Sequence, residues 1–102
     1  MIIKCEGKEV ELKFTYNSFR YMEDFKISDL ESVNENVFKI ARLTQEMLLG
    51  AMNCEPLKKY TVKQVDSLMR EYDENGELIE LFSDLSELLS DSSFFKGLRA
   101  IG

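Results

Sequence analysis

Apolar and polar side chains alternate along the start of the chain, on both sides of a glycine. The apolar positions are Ile3, Cys5, Val10, Leu12 and Phe14. Gly7 lies in the break between the two runs and can adopt the positive φ that a tight turn needs. A period of two on either side of such a turn predicts a β-hairpin over residues 2–15 with one apolar face. Because an isolated hairpin is marginally stable in water, that face is expected to pack on other elements.

After Phe14 the apolar side chains recur at helical spacing. Asn36 is placed to cap a long helix, and Thr61 with Gln64 forms the pattern of a capping box. Asn75 and Gly76 interrupt the apolar pattern as a turn does. A brief helical turn is also predicted close to residues 28–31. The main predicted helices span about residues 17–26, 36–52, 61–72 and 76–90.

These elements predict a mainly helical α+β fold, in which the N-terminal hairpin packs on a bundle of about four helices. Residues 1–90 are expected to form a single globular domain, since 102 residues suffice for one modest core. Residues 91–102 show no clear period and are predicted to be a C-terminal tail, either flexible or ordered. The tail carries apolar side chains that could contact a partner: Phe94, Phe95, Leu98 and Ile101.

Composition and charge narrow the classes of partner. Hydrophobic residues make up 44% of the chain and the net charge is −6, as in a folded acidic domain. Lysine and arginine are nowhere concentrated, so binding to nucleic acid is not expected. Residues 73–91 hold seven acidic side chains and no basic ones. With no apolar run long enough to span a membrane and no signal-peptide pattern, we expect a cytoplasmic protein that does not bind membranes.

Side chains that commonly perform catalysis are scarce. The chain has no histidine, which removes the commonest general base and the usual Cys/His and Ser/His pairs. Cys5 and Cys54 are too far apart in sequence for a metal-binding motif and are expected to be free thiols. A calcium loop beginning at Glu71 would need a carboxylate at its twelfth place, which Phe82 occupies. We therefore expect a protein that is not an enzyme, with no cofactor, metal or small-molecule substrate.

The order of these segments resembles a known family. An opening strand runs directly into an aromatic and acidic segment, a middle helix ends in methionine and glycine, and an acidic helix closes the domain. The stretches that carry the likeness are residues 7–16, 19–24, 47–53 and 60–66. In this layout the chain is similar to the tail assembly chaperones of long-tailed, siphovirus-like bacteriophages and prophages of Gram-positive bacteria. Residues 25–27 depart from the family, which usually has a glycine there.

The resemblance implies a non-catalytic chaperone in the cytoplasm of the bacterial host. Such a protein binds the tape-measure protein, recruits tail-tube subunits and is absent from the mature virion. Family members commonly also exist in a longer form made by a −1 frameshift, for which codons 93–95 are a candidate site and codons 57–59 an equal alternative. Coating a long partner with a small domain suggests a homo-oligomer, with the hairpin's free edge as one candidate contact.

Two sets of side chains are candidates for protein binding. The hairpin set is Val10, Leu12 and Phe14, and the tail set is Phe94, Phe95, Leu98 and Ile101. The hairpin side chains have an alternative role as the lid of the core.

A rival interpretation starts from the acidic segment. A small acidic inhibitor or decoy could bind a basic partner by imitating nucleic acid. Its phosphate mimics would be Glu77, Glu80, Asp84 and Glu87. Binding of that kind would weaken strongly as salt is added.

Overall fold

The computed structural model of the protein describes residues 1–93 and 95–97. Two strands come first and five helices follow among these residues. In chain order they are β1 Ile2–Cys5, β2 Lys8–Glu11, α1 Tyr16–Phe19, α2 Ile27–Glu31, α3 Lys39–Met52, α4 Val62–Glu74 and α5 Leu78–Ser90. An N-terminal antiparallel hairpin thus precedes a group of helices. The predicted fold class, mainly helical α+β, is confirmed.

The hairpin is closed by a two-residue turn. β1 and β2 pair with Ile2 opposite Glu11 and Cys5 opposite Lys8. Between the strands Glu6 and Gly7 both have positive φ, +53° and +80°. Positive φ at both central residues is the feature of a type I′ turn, whose twist matches that of paired strands. Gly7 takes the predicted role, and Glu6 adopts a conformation that side chains other than those of Asn and Asp rarely take.

The first predicted helix, over residues 17–26, is wrong in length. α1 ends at Phe19, and the chain continues in tighter turns in which Tyr21, Met22 and Phe25 each donate a backbone hydrogen bond to the residue three positions earlier. The physical reason lies in the spacing of the apolar side chains. Phe19, Met22 and Phe25 recur every three residues, which suits turns with three residues per revolution better than an α-helix.

α3 is the central helix of the domain. It packs against α1, α2, α4 and α5. The predicted start at Asn36 is wrong, because α3 begins at Lys39 and its N-cap residue, Phe38, has no side-chain capping hydrogen bond. Asn36 Oδ1 instead accepts a hydrogen bond from the Phe38 backbone at 3.2 Å, in the turn that precedes the helix. We call α1 and the turns after it, residues 16–25, the α1 segment. Gly50 allows α3 to approach this segment closely. A Cβ added there would lie 2.6 Å from the Cγ of Met22, which is buried.

A buried polar network joins the end of α3 to the loop before α4. The Asn53 side chain is fully buried. Its amide nitrogen donates to the carbonyls of Leu49 and Tyr60 at 2.8 and 3.1 Å, and its oxygen accepts from the Tyr60 backbone at 2.8 Å. The Asn17 amide donates to the Asn53 carbonyl at 2.8 Å. The Asn53 side chain therefore fixes the loop before α4 to the last turn of α3.

The chain beyond α5 contributes to the core. Phe95 is 7% exposed and belongs to the same apolar cluster as the hairpin and helices. Its backbone N–H donates to Ser92 Oγ, which in turn donates to the Leu89 carbonyl. The sequence left the tail flexible or ordered, and for Phe95 the second alternative is correct.

Replacing Phe95 by alanine should therefore lower the free energy of unfolding, by about 2 kcal/mol. Deleting residues 91–102, which removes Phe95 together with the rest of the tail, should destabilise the domain by at least as much. Urea denaturation followed by circular dichroism measures both changes. Unchanged midpoints in both variants would show that the tail adds nothing to the core.

Candidate interaction surfaces

The two cysteine thiols lie inside the domain, and the acidic side chains of residues 1–93 and 95–97 do not cluster into a metal site. Both cysteines are free and buried. Burial, together with the charge of Glu6, raises the pKa of the Cys5 thiol, so its nucleophilic thiolate is disfavoured. In residues 1–93 and 95–97 no group of three Cys, Asp or Glu side chains could hold a metal ion. No helix within the same residues has the length and apolar character needed to cross a membrane.

The hairpin side chains predicted to bind a partner are instead part of the core. Val10, Leu12 and Phe14 are 2%, 1% and 8% exposed. The alternation of the strands turns all three toward the helices, and the Phe14 ring stacks on the Phe19 ring at 6.2 Å between centroids. A partner on the folded domain cannot reach them. Of the two roles that the sequence left open for these residues, the structure supports the lid of the core.

Of the four predicted tail side chains, the structure describes one. Phe95 is buried and is not a surface contact. The predictions for Phe94, Leu98 and Ile101 lie outside the described residues.

The outer edge of β1 is open. The Leu12 N–H donates to the Met1 carbonyl at 2.8 Å, which makes this pair a hydrogen-bonded one. Such pairs alternate along an antiparallel ladder, so the backbone N–H and C=O groups of Ile2 and Lys4 point away from β2. Within the described part of the chain these groups have no backbone partner beyond the hairpin. They are free to pair with an added strand.

The edge of β2 is different, because the loop after α3 lies against one end of it. Cys54 Sγ is 3.9 Å from the Glu11 carbonyl and donates to it. Two residues further on, the Lys13 N–H donates to the Ala51 carbonyl at 3.4 Å. An added strand would therefore meet a partly covered edge at β2 and an uncovered one at β1.

A groove runs beside the open edge of β1, and we call it the Tyr72 groove. It consists of two adjoining cavities of about 160 and 240 Å³ that share Tyr72 and Glu77. Its lining combines buried apolar side chains with exposed acidic ones from α4, α5 and the turn between them. The residues that line it are Met1, Ile2, Ile3, Lys4, Leu68, Glu71, Tyr72, Asn75, Glu77, Glu80, Leu81 and Asp84.

Acidic residues outnumber basic ones in the lining of the Tyr72 groove, where Lys4 is the one basic residue. Glu71, Glu77, Glu80 and Asp84 are exposed, and none of them forms an ion pair with a lysine or arginine among the described residues. Burial raises the pKa of the Tyr72 hydroxyl, and the charges of Glu77, Glu71 and Asp84 raise it further. The groove therefore favours positively charged groups.

A second groove lies between the α1 segment, α3 and the start of α4, and we call it the Tyr21 groove. Two cavities of about 300 and 310 Å³ share Arg20 and Tyr21. Leu49 and Val62 give one cavity an apolar wall, and Pro56 contributes to the other. Leu57 follows Pro56 directly and is 95% exposed. The surface combines apolar and aromatic side chains with charges, a composition typical of protein-binding sites.

Acidic residues line one of the two cavities of the Tyr21 groove and not the other. Glu23, Asp24 and Glu46 lie in the cavity next to α3, whereas Lys59 lies in the other one, and Arg20 is common to both. Glu46 Oε1 accepts a hydrogen bond from Arg42 Nε at 2.9 Å. Within the described residues, Glu46 Oε2 is buried and has no partner.

Neither groove was identified from the sequence, because each joins segments that are far apart in the chain. The exposed apolar side chains at their rims carry no local pattern that separates them from core residues. Comparisons with models of protein families, with curated proteins and with solved structures found no match for this chain.

Proposed function

We propose that the chain is a non-catalytic protein-binding domain that acts as a tail assembly chaperone. In this role it binds a phage tape-measure protein and recruits tail-tube subunits in the bacterial cytoplasm, and it is not retained in the virion. The observation that carries the protein-binding part is the Tyr21 groove. The resemblance of the sequence layout to that family supports the identity of the partners.

The Tyr21 groove suits an amphipathic helix. Its apolar wall is formed by side chains from helices and turns, with Tyr21 at the junction of the two cavities. A helix bound in such a groove places apolar side chains from successive turns on that wall. Acidic groups at one end and Lys59 at the other would fix the direction of the bound helix.

A second surface on the domain supports an adaptor role. The Tyr72 groove is lined by β1, α4 and α5, and it shares no residue with the Tyr21 groove. One domain could therefore contact two different proteins at the same time. A long partner also offers many repeated sites, so we propose that copies of the chain line up along it and associate with one another.

Affinity purification of the tagged chain from cells that produce it, followed by mass spectrometry, tests the proposal. We expect a very long helical protein and a tube-forming subunit to be recovered. Tyr21→Asp places a charge at the centre of the Tyr21 groove and should reduce recovery of the long protein at least tenfold. Phe38→Asp is the matched control, because Phe38 is 89% exposed and lies outside both grooves. Equal recovery with both variants would contradict the role of the groove.

The acidic surface of α5 keeps a second function open as a candidate. Glu77, Glu80, Asp84 and Glu87 are all exposed, and in the described residues none is neutralised by an ion pair. Such a face could bind a basic protein in place of nucleic acid. Recovery of a nucleic-acid-binding protein in the same purification, in a manner lost at high salt, would favour this decoy function.

A further inference from the structure

We propose that the open edge of β1 binds an extended, basic segment of a partner protein, which adds a third strand to the hairpin over the Tyr72 groove. This inference deepens the proposed function and rests on its protein-binding part alone. It does not depend on the Tyr21 groove or on the partner being a tape-measure protein.

The backbone supplies the first part of the argument. The N–H and C=O groups of both Ile2 and Lys4 face away from β2, so an added strand could form up to four hydrogen bonds along this edge. Strand addition of this kind obtains affinity from the main chain and specificity from the alternate side chains. The partly covered edge of β2 offers no equivalent run.

The side chains of the added strand would meet two different environments. Residues on one face would lie beside Ile2, whose side chain is 62% exposed on the outer face of the hairpin. Residues on the other face would project into the Tyr72 groove, on the side where Ile3, Tyr72 and Leu81 meet. Glu80 and Asp84 line that same cavity. An alternation of basic and apolar side chains is therefore the complementary pattern.

The same charges argue against a second copy of this chain as the occupant. Antiparallel pairing of β1 with itself about Ile3 would place both bundles on one face of a four-stranded sheet. Glu80 and Asp84 of the two copies would then line one shared groove, and like charges so placed repel. Lys4 does not compensate, because it lines the cavity beside Glu71 and not the one that holds Glu80 and Asp84. A basic partner relieves this repulsion, whereas a second copy doubles it.

The probe for the test is a short capped peptide in which lysine and valine alternate, titrated into the full ¹⁵N-labelled chain. Binding should shift the amide signals of Ile2 and Lys4 and slow their exchange with solvent. A peptide with glutamate in place of lysine should not bind. Affinity for the lysine peptide should fall as salt is added.

Two proline variants distinguish strand addition from simple charge attraction. Lys4→Pro removes an outward N–H and places the proline ring on the open edge, while the hydrogen bonds to β2 remain. We expect it to weaken binding of the lysine peptide at least about tenfold. Glu9→Pro is the matched control, since Glu9 lies directly opposite Lys4 and its N–H points out from the other edge. It should bind like the unmodified chain.

A charge variant keeps the test decisive if a proline variant fails to fold. Glu80→Gln combined with Asp84→Asn should weaken peptide binding by at least about tenfold and reduce its salt dependence. Equal binding of the glutamate peptide, or full binding to the Lys4→Pro chain or to the charge variant, would overturn the inference. A dimer of the free chain that dissociates on Lys4→Pro substitution would also overturn it, by assigning the edge to a second copy. Failure here leaves the Tyr21→Asp result unaffected, so the two proposals fail separately.

Discussion

Replacing Leu85 by alanine is expected to lower the free energy of unfolding by about 3–4 kcal/mol. Leu85 has no exposed surface and lies in the middle of α5, which packs on α3. Truncation removes apolar contacts and leaves a cavity that helices fixed on both sides cannot close. Urea denaturation of the variant and the unmodified chain, followed by circular dichroism, measures the difference.

The matched control for Leu85 is the same substitution at a surface position. Leu57→Ala makes an identical chemical change in a side chain that is 95% exposed. We expect its unfolding free energy to stay within about 0.5 kcal/mol of the unmodified chain. If the two variants lose equal stability, the position of α5 in the core is wrong.

Replacing Asn53 by alanine should be nearly as damaging, with an expected loss of about 3 kcal/mol. The substitution leaves the Tyr60 N–H and C=O without their side-chain partners in a partly buried setting, where each unsatisfied group costs up to about 1–3 kcal/mol. It also removes one of the hydrogen bonds to the Leu49 carbonyl at the end of α3. Because the loop before α4 depends on this side chain, its amide protons should exchange faster in the variant.

Asn34→Ala is the control for this substitution, since Asn34 is exposed and takes part in none of the side-chain hydrogen bonds at Asn53. It should change the unfolding free energy by less than about 0.5 kcal/mol. Comparable losses from Asn34→Ala and Asn53→Ala would show that the network contributes no specific stability.

Local patterns predicted much of the fold. The period of two around Gly7 predicts the hairpin because turn chemistry and alternation act within a few residues. The capping box at Thr61 is present in the structure, with Gln64 bonded back to the Thr61 backbone at 2.9 Å. These features depend on neighbours in sequence, so they can be recognised without knowledge of tertiary contacts.

The features that were not predicted depend on contacts between distant segments. Gly50 of α3 lies so close to Met22 that an added Cβ would be 2.6 Å from the Met22 Cγ, and no pattern in either segment predicts this approach. Val62 falls on the apolar face that the spacing of α4 predicts to be buried, yet it is 55% exposed, because that end of the helix borders the Tyr21 groove. Burial at such positions is decided by the packing of elements and not by their period.

The same dependence on tertiary contacts explains why the hairpin side chains were wrongly predicted to bind a partner. The apolar face of a hairpin with exposed charges on its other side can serve as a contact surface or as the cover of a core. Val10 and Phe14 take the second role here, and this leaves the backbone edge of β1 as the open part of the hairpin. A groove such as the one at Tyr21 has no signature in sequence, because three separate segments form it.

The central claim, that this domain binds a helical protein through the Tyr21 groove, is tested most directly by hydrogen exchange. The chain would be measured by mass spectrometry alone and in complex with the long protein recovered by affinity purification. We predict slower exchange in residues 17–24, 45–49 and 56–62 of the complex. Protection confined to α5, with these three segments unchanged, would contradict the account and would favour an acidic decoy.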